Sequence, residues 1–177
     1  GDNWTCQVTP YDGYDYGSSQ NDSVVVDNCG MSLDQSLTLE SNMSCSGNGF
    51  NIGAANIVLD CASYAINYTT AGNGGYGINN TAGYDNVTIK NCNIVAGDSA
   101  GPNQKSIYFK NVDNSLINNN NITTMSWNYP SAITLENSSN NIITNNREDL
   151  IGVTYYSEAI LIGSFSNNNT IENNIIK

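Results

Sequence analysis

The chain contains no histidine and only five lysines and arginines in 177 residues. Without histidine there is no Ser-His-Asp triad, no Cys-His pair and no imidazole to ligate zinc or copper. Against sixteen acidic residues the five cations leave a net charge of −11. That balance argues against nucleic acid or an anionic membrane as partner. No apolar run approaches the roughly 20 residues that span a bilayer, so membrane insertion is not expected. No segment carries apolar residues at i, i+3, i+4 and i+7, so little or no α-helix is expected. None of the five cysteines forms a Cys-x-x-Cys pair, which removes the usual zinc spacing. No glycine-rich phosphate loop joins a strand to a helix. Only 12% of residues are charged, so solubility rests on Asn, Ser, Thr and Gly.

What is present is a repeat. Asn86-Val87-Thr88-Ile89-Lys90-Asn91-Cys92 is followed by Asn114-Ser115-Leu116-Ile117-Asn118-Asn119-Asn120, then Asn140-Asn141-Ile142-Ile143-Thr144-Asn145-Asn146, then Asn168-Asn169-Thr170-Ile171-Glu172-Asn173-Asn174. An earlier copy starts at Asn56. Successive copies begin 30, 28, 26 and 28 residues apart, a period that marks a solenoid. Each copy has a second β-prone run upstream, opened by Phe50, Ile78, Ile107, Ile133 and Ile160. Short strands at one register, joined by Asn, Gly and Ser turns, describe a right-handed parallel β-helix of about five or six coils. Val58, Ile89, Ile117, Ile143 and Ile171 or their immediate neighbours are expected to face inward. The sixth and seventh residues of the copies, mostly Asn, are expected to stack as amide ladders, since Asn tolerates the left-handed conformation of a sharp turn.

These residues resemble the NosD-like right-handed parallel β-helix repeat proteins of archaeal and bacterial surfaces. The segment from Asn56 to Ile66 is similar to the family's first full coil, and Tyr84 to Cys92 to its next. The resemblance runs from about Cys29 to Lys177. It implies the fold and a surface location. The family's link to copper is not carried over, because histidine is missing and Met31, Met43 and Met125 are scattered.

Two regions are expected: a Tyr/Asp/Gly-rich arm over 1–23 and the β-helix domain over 24–177. In the arm, Tyr11, Tyr14 and Tyr16 are candidate subunit contacts, because tyrosine brings contact area with a polar tip. Asp12, Asp15 and Asp22 could hold Ca²⁺ only loosely, lacking an EF-hand pattern; otherwise no metal or cofactor is expected. Cys61 and Cys92 sit at near-equivalent points of successive coils, and Cys29 and Cys45 flank the first coil. Both pairs are expected to be disulfides, with Cys6 left as a candidate intermolecular bridge. Nine Asn-x-Ser/Thr sequons occur, of which composition alone supplies about six. Asn3, Asn21, Asn42, Asn67 and Asn79 are the candidates read as loop sites for glycans, whereas Asn86, Asn121, Asn137 and Asn168 are read as closed within ladders.

Catalysis would need convergent carboxylates. Asp60 with Asp85 and Glu136 with Glu158 are the available pairs, but Glu136 and Glu158 follow different offsets from their coil markers, Ile133 and Ile160. Arg147-Glu148-Asp149 reads as a solvated loop insertion. No catalytic constellation results, and no enzyme activity is expected. The chain starts at Gly1, as a mature secreted chain would, and ends at Lys177 directly after a ladder strand. That end, with Ile175, Ile176 and Lys177, is expected to meet more protein or another copy. The expected function is an extracellular structural solenoid, a homopolymeric subunit of a surface filament, sheath or envelope layer, with glycans as further partners. The alternatives are a carbohydrate-active lyase- or hydrolase-like β-helix, a carbohydrate-binding one, or a fragment of an adhesin or tail-spike-like fibre.

Overall fold

The structure, a computed structural model, describes residues 3–8, 11, 13–14, 20–25, 28–71, 74–97, 104–125, 129–151 and 157–177, with backbone alone at 3–8 and 20–25. Every regular element among them is a strand. β1 (Asn3–Val8) and β2 (Gln20–Val25) pair antiparallel as a separate two-stranded unit. The expected boundary between residues 23 and 24 therefore falls inside β2. Val24 and Val25 look like the start of the solenoid, yet they pair with Trp4 and Asn3 instead.

From Met31 onward the chain winds as a parallel β-helix, three strands to a coil. The first coil is β3 (Met31–Leu33), β4 (Leu37–Thr38) and β5 (Met43–Ser44). The second is β6 (Phe50–Ile52), β7 (Val58–Asp60) and β8 (Ala65–Tyr68), and the third β9 (Tyr76–Asn80), β10 (Thr88–Lys90) and β11 (Asn93–Ala96). The fourth is β12 (Lys105–Lys110), β13 (Leu116–Asn118) and β14 (Asn121–Met125), and the fifth β15 (Ser131–Glu136), β16 (Ile142–Thr144) and β17 (Arg147–Ile151). The sixth is β18 (Glu158–Ile162), β19 (Thr170–Glu172) and β20 (Ile175–Ile176). Each strand pairs in parallel with its counterparts in adjacent coils, giving three six-stranded walls. Four coils, the second to the fifth, have paired neighbours on both sides; the first and last have one.

The core is a set of stacked rows. Phe50, Ile78, Ile107 and Ile133 line the first wall, Leu59, Ile89, Ile117 and Ile143 the second, and Ile66, Ile94 and Ile122 the third, all buried. Each such side chain contributes roughly 1.5–3 kcal/mol by leaving water. The inward residue of the second wall is the fourth of each copy. Val58, the third of its copy, pairs with Thr88 and is only half-buried, while its neighbour Leu59 takes the core position. A shift of one residue along a strand changes the face. Ile171 belongs to the same row but is exposed, since it lies on the last of the described coils.

One row is small for a steric reason. Gly49, Gly77, Ser106, Ala132 and Ala159 succeed one another where the third wall turns into the first. A β carbon on Gly77 would sit 2.5 Å from the Ser106 carbonyl oxygen and 2.7 Å from Ile94 Cγ2. The isoleucines of the third wall fill the space that a larger residue would take.

The corners explain the asparagines. Asn91, Asn119, Asn145 and Asn173 turn the chain from the second wall to the third with φ of 55–56°. Asn86, Asn114, Asn140 and Asn168 enter the second wall with φ of 54–59°. This is the left-handed region, which most side chains avoid at a cost of about 1–2 kcal/mol. Outside, Asn119 Nδ2 donates to Asn91 Oδ1 at 2.8 Å. Asn119→Ala is therefore expected to cost about 1–2 kcal/mol and Asn119→Gly distinctly less, because glycine accepts the positive φ. Chemical denaturation of the two variants checks this order, and equal losses would show that the amide bond outweighs the backbone strain.

Inside, the ladders bind backbone as well as amide. Asn120 Oδ1 accepts from Cys92 N, and Asn120 Nδ2 donates to the Ile89 carbonyl at 3.2 Å and to Asn146 Oδ1 at 2.9 Å. Asn146 repeats the pattern with Asn120 N, Ile117 O and Asn174 Oδ1. A second inner row, Ser115, Asn141 and Asn169, does the same at the other end of the second wall. Its position, directly after the leading Asn of each copy, was not singled out from sequence. These buried amides are satisfied, which is what permits them inside.

Both expected disulfides are present. Cys29 and Cys45 are joined across 16 residues of sequence and Cys61 and Cys92 across 31. Cys92 stands one coil before Asn120 in the inner row. The crosslink thus occupies the place that later coils give to a ladder amide. The side chain of Cys6 lies outside the described residues.

Candidate functional site

The carboxylates weighed for catalysis do not converge. Asp60, at the end of β7, pairs with Lys90 at 3.1 Å and accepts from Asn91 Nδ2 and Ala62 N at 2.9 Å. These bonds, the Asn91 one foremost, hold its carboxyl below the usual range. Asp85 lies at the opposite end of the second wall, where it accepts from Asp113 N. Glu136 closes β15 and Glu158 opens β18, so they stand at opposite ends of the first wall. Glu136 accepts from the Tyr108 hydroxyl and pairs with Lys110 at 3.0 Å, and these contacts lower its pKa. Lys105 Nζ lies 4.7 Å over the Tyr108 ring, and Tyr76 packs 5.4 Å from it. Burial, with the Glu136 carboxylate beside it, raises the Tyr108 pKa. This outward cluster satisfies its own charges.

Arg147-Glu148-Asp149 is not a loop insertion. It forms most of β17, and strand alternation separates its three residues. Arg147 and Asp149 pair outside at 2.9 Å. Glu148 points inward, where it takes the position held by Ile66, Ile94 and Ile122 in earlier coils. It is 0% exposed, and neither carboxyl oxygen has a hydrogen-bond partner. Burial pushes its pKa up to about 7, against a smaller lowering by its own backbone N–H. A charge between two further charges, Arg147 and Asp149, reads as surface, and nothing local to the sequence marks it as inward.

The two ends of the solenoid differ. At the C-terminal edge Ile175 and Ile176 are 55% and 60% exposed, and Ile171 and Lys177 are exposed beside them. β18, β19 and β20 are paired on one side only among the described residues. At the other edge Leu33, Leu39 and Met43 are buried although they belong to the first coil. A recess of about 240 Å³ opens there along Met31–Leu37.

Of the tyrosines weighed as contacts, Tyr11 and Tyr14 are exposed, and Tyr16 lies outside the described residues. So do Asp12, Asp15 and the side chain of Asp22. No cluster of three metal-ligating residues occurs among the described residues. The glycan candidates are placed differently from the loop reading. Asn67 lies in β8 and Asn79 in β9, both half-buried, with their amides bonded to Met43 O and Asn51 Oδ1. The inward isoleucine before each, Ile66 and Ile78, packs in the core and draws these segments into strands. Asn3 and Asn21 fall within β1 and β2, their side chains outside the described residues. Asn42 is exposed outside any strand. Asn86, Asn137 and Asn168, read as closed, are exposed at corners. No described helix is long and apolar enough to cross a membrane. No family model matches this chain, and searches of curated proteins and of solved structures return no match.

Proposed function

We propose that the protein is an extracellular structural β-solenoid, a subunit of a surface filament, sheath or envelope layer joined by contacts between copies of the chain. The observation that carries this is the C-terminal edge. Its last described strands are in register to accept another coil; the inward-row residues Ile171 and Ile176 are exposed there, with Ile175 exposed beside them on the outer face. Backbone pairing at such an edge needs only a strand of matching direction. The recess along Met31–Leu37, lined by both apolar and polar side chains, gives the opposite end a concave surface. A contact joining these two ends is head to tail, so it propagates instead of closing. Tyr11 and Tyr14 would add contact area. The two disulfides support an oxidising exterior.

Sedimentation velocity and electron microscopy of the purified protein test the assembly. Concentration-dependent polymers, weakened by Ile176→Asp, are expected; a monomer at millimolar concentration would overturn the reading. Glycosylation belongs to the same proposal. Glycopeptide mapping of secreted protein is expected to find sugars among Asn42, Asn86, Asn137 and Asn168 and none at Asn67 or Asn79. A bare polypeptide from the native source would refute this part.

One observation favours a second reading, carbohydrate binding. Tyr76, Lys105, Tyr108 and Glu136 gather aromatic and charged groups on the outer first wall. Retention on immobilised polysaccharide that Tyr76→Ala abolishes would move that reading ahead.

A further inference from the structure

We propose that Glu148 is a proton switch that holds or releases the last coil, and with it the edge through which copies meet; the second part rests on the assembly reading above. Four observations converge on this side chain. It occupies the isoleucine row of the third wall, paired below with Ile122 and above with Ile176. It is fully buried, and it is the one ionisable carboxyl or amine among the buried described residues. Both its oxygens lack partners. Only the sixth coil separates it from the open end.

Apart from its own backbone N–H, which lowers the pKa by less than burial raises it, the surroundings offer the charged form no partner. β14 below it has no titratable residue. β20 above it is followed by Lys177, whose side chain is exposed and whose amide donates to the Glu148 carbonyl at 2.9 Å. β18 across the interior opens with Glu158, and β19 closes with Glu172, both exposed. On β17 itself Arg147 and Asp149 are engaged with each other on the outer face. Protonated, the side chain is a neutral group of roughly core-compatible size. Ionised, it needs water, and buried charges without a partner are relieved by solvent entry or by local opening. One path for water passes the sixth coil, the last of the described coils. Opening there breaks the bonds from Ile175 N to Asn146 O at 2.8 Å, from Lys177 N to Glu148 O, and from Leu150 N to Lys177 O at 3.2 Å. Burial places the titration near neutrality, at about 7.

The sign follows from linkage. A carboxyl whose pKa is higher folded than open favours the docked coil at low pH. That preference is complete below about 4.5 and is lost as pH rises to about 7. Hydrogen exchange of the Leu150, Ile175 and Lys177 amides, corrected for intrinsic rate, reads the docking directly. Protection is expected to fall roughly tenfold per pH unit between about pH 5 and pH 7 and to level off above. Glu148→Gln and Glu148→Leu should remove this dependence, with Leu protected throughout. Sedimentation over the same range is expected to show assembly declining with pH in the unsubstituted protein and not in Glu148→Leu. If protection changes with pH but the protein is monomeric at every pH, the switch stands and the assembly reading fails. Protection that is independent of pH, or that varies equally in Glu148→Leu, overturns the switch.

Discussion

Glu148→Leu is expected to stabilise the fifth and sixth coils by about 3 kcal/mol at pH 8, with the gain shrinking as pH falls. The carboxyl has a value near 4.5 in an open chain and about 7 when buried. Each unit of difference corresponds to about 1.4 kcal/mol, and burial in the isoleucine row supplies the upward shift. Below about pH 4.5 both states are protonated and this contribution is fully retained; it is lost by the time pH has passed 7. Leucine at this position restores the apolar row formed by Ile66, Ile94 and Ile122. Replacing a buried unpaired charge by a hydrophobic residue is commonly stabilising. Because a solenoid unfolds by nearest-neighbour steps, the gain should be local to the C-terminal coils. Urea unfolding at pH 5 and pH 8 checks the sign. A variant less stable than the parent at pH 8 would mean that Glu148 has a partner in the folded protein.

Removal of the Cys61–Cys92 crosslink is expected to cost about 3–4 kcal/mol. The bridge closes 31 residues of sequence, one full coil, and the open chain regains the corresponding loop entropy. The substitution also leaves an inner-ladder position empty, since Cys92 stacks below Asn120. Cys61→Ser with Cys92→Ser should therefore lose more than Cys61→Ser with Cys92→Asn, where the amide can extend the ladder of Asn120 and Asn146. Thermal unfolding of both double variants, under oxidising and reducing conditions, separates the two contributions. Equal losses would confine the effect to the crosslink. In the parent protein, reduction should reproduce the greater part of the loss.

The repeat was legible because a solenoid stacks equivalent residues, so its period is written into the chain. Ile89, Ile117 and Ile143 recur at the fourth place of each copy, and the core row follows from that regularity. The corner asparagines were legible for the same reason: a left-handed turn repeated at fixed spacing selects one residue type. Cys61 and Cys92 could be paired because repeat alignment brings them to adjacent coils.

Other features were hidden from the sequence for identifiable reasons. The β1–β2 pairing joins partners from Asn3 with Val25 to Val8 with Gln20, outside the repeat. Asn67 and Asn79 sit in strands because their neighbours' packing overrides the turn preference of asparagine. Glu148 is the clearest case. Its charge and its flanks, Arg147 and Asp149, describe a surface segment, and local preference has no term for what lies across the interior. The stacking of β17 between β14 and β20 sets the face, and period-2 alternation then turns the middle carboxyl inward. The sequence by itself determined the solenoid, its register and the Cys61–Cys92 crosslink, since each is a property of residues that repeat. Tertiary structure alone decided which acid is buried and where the first two strands pair. Those depend on residues that depart from the repeat or lie outside it, whose surroundings the repeat does not set.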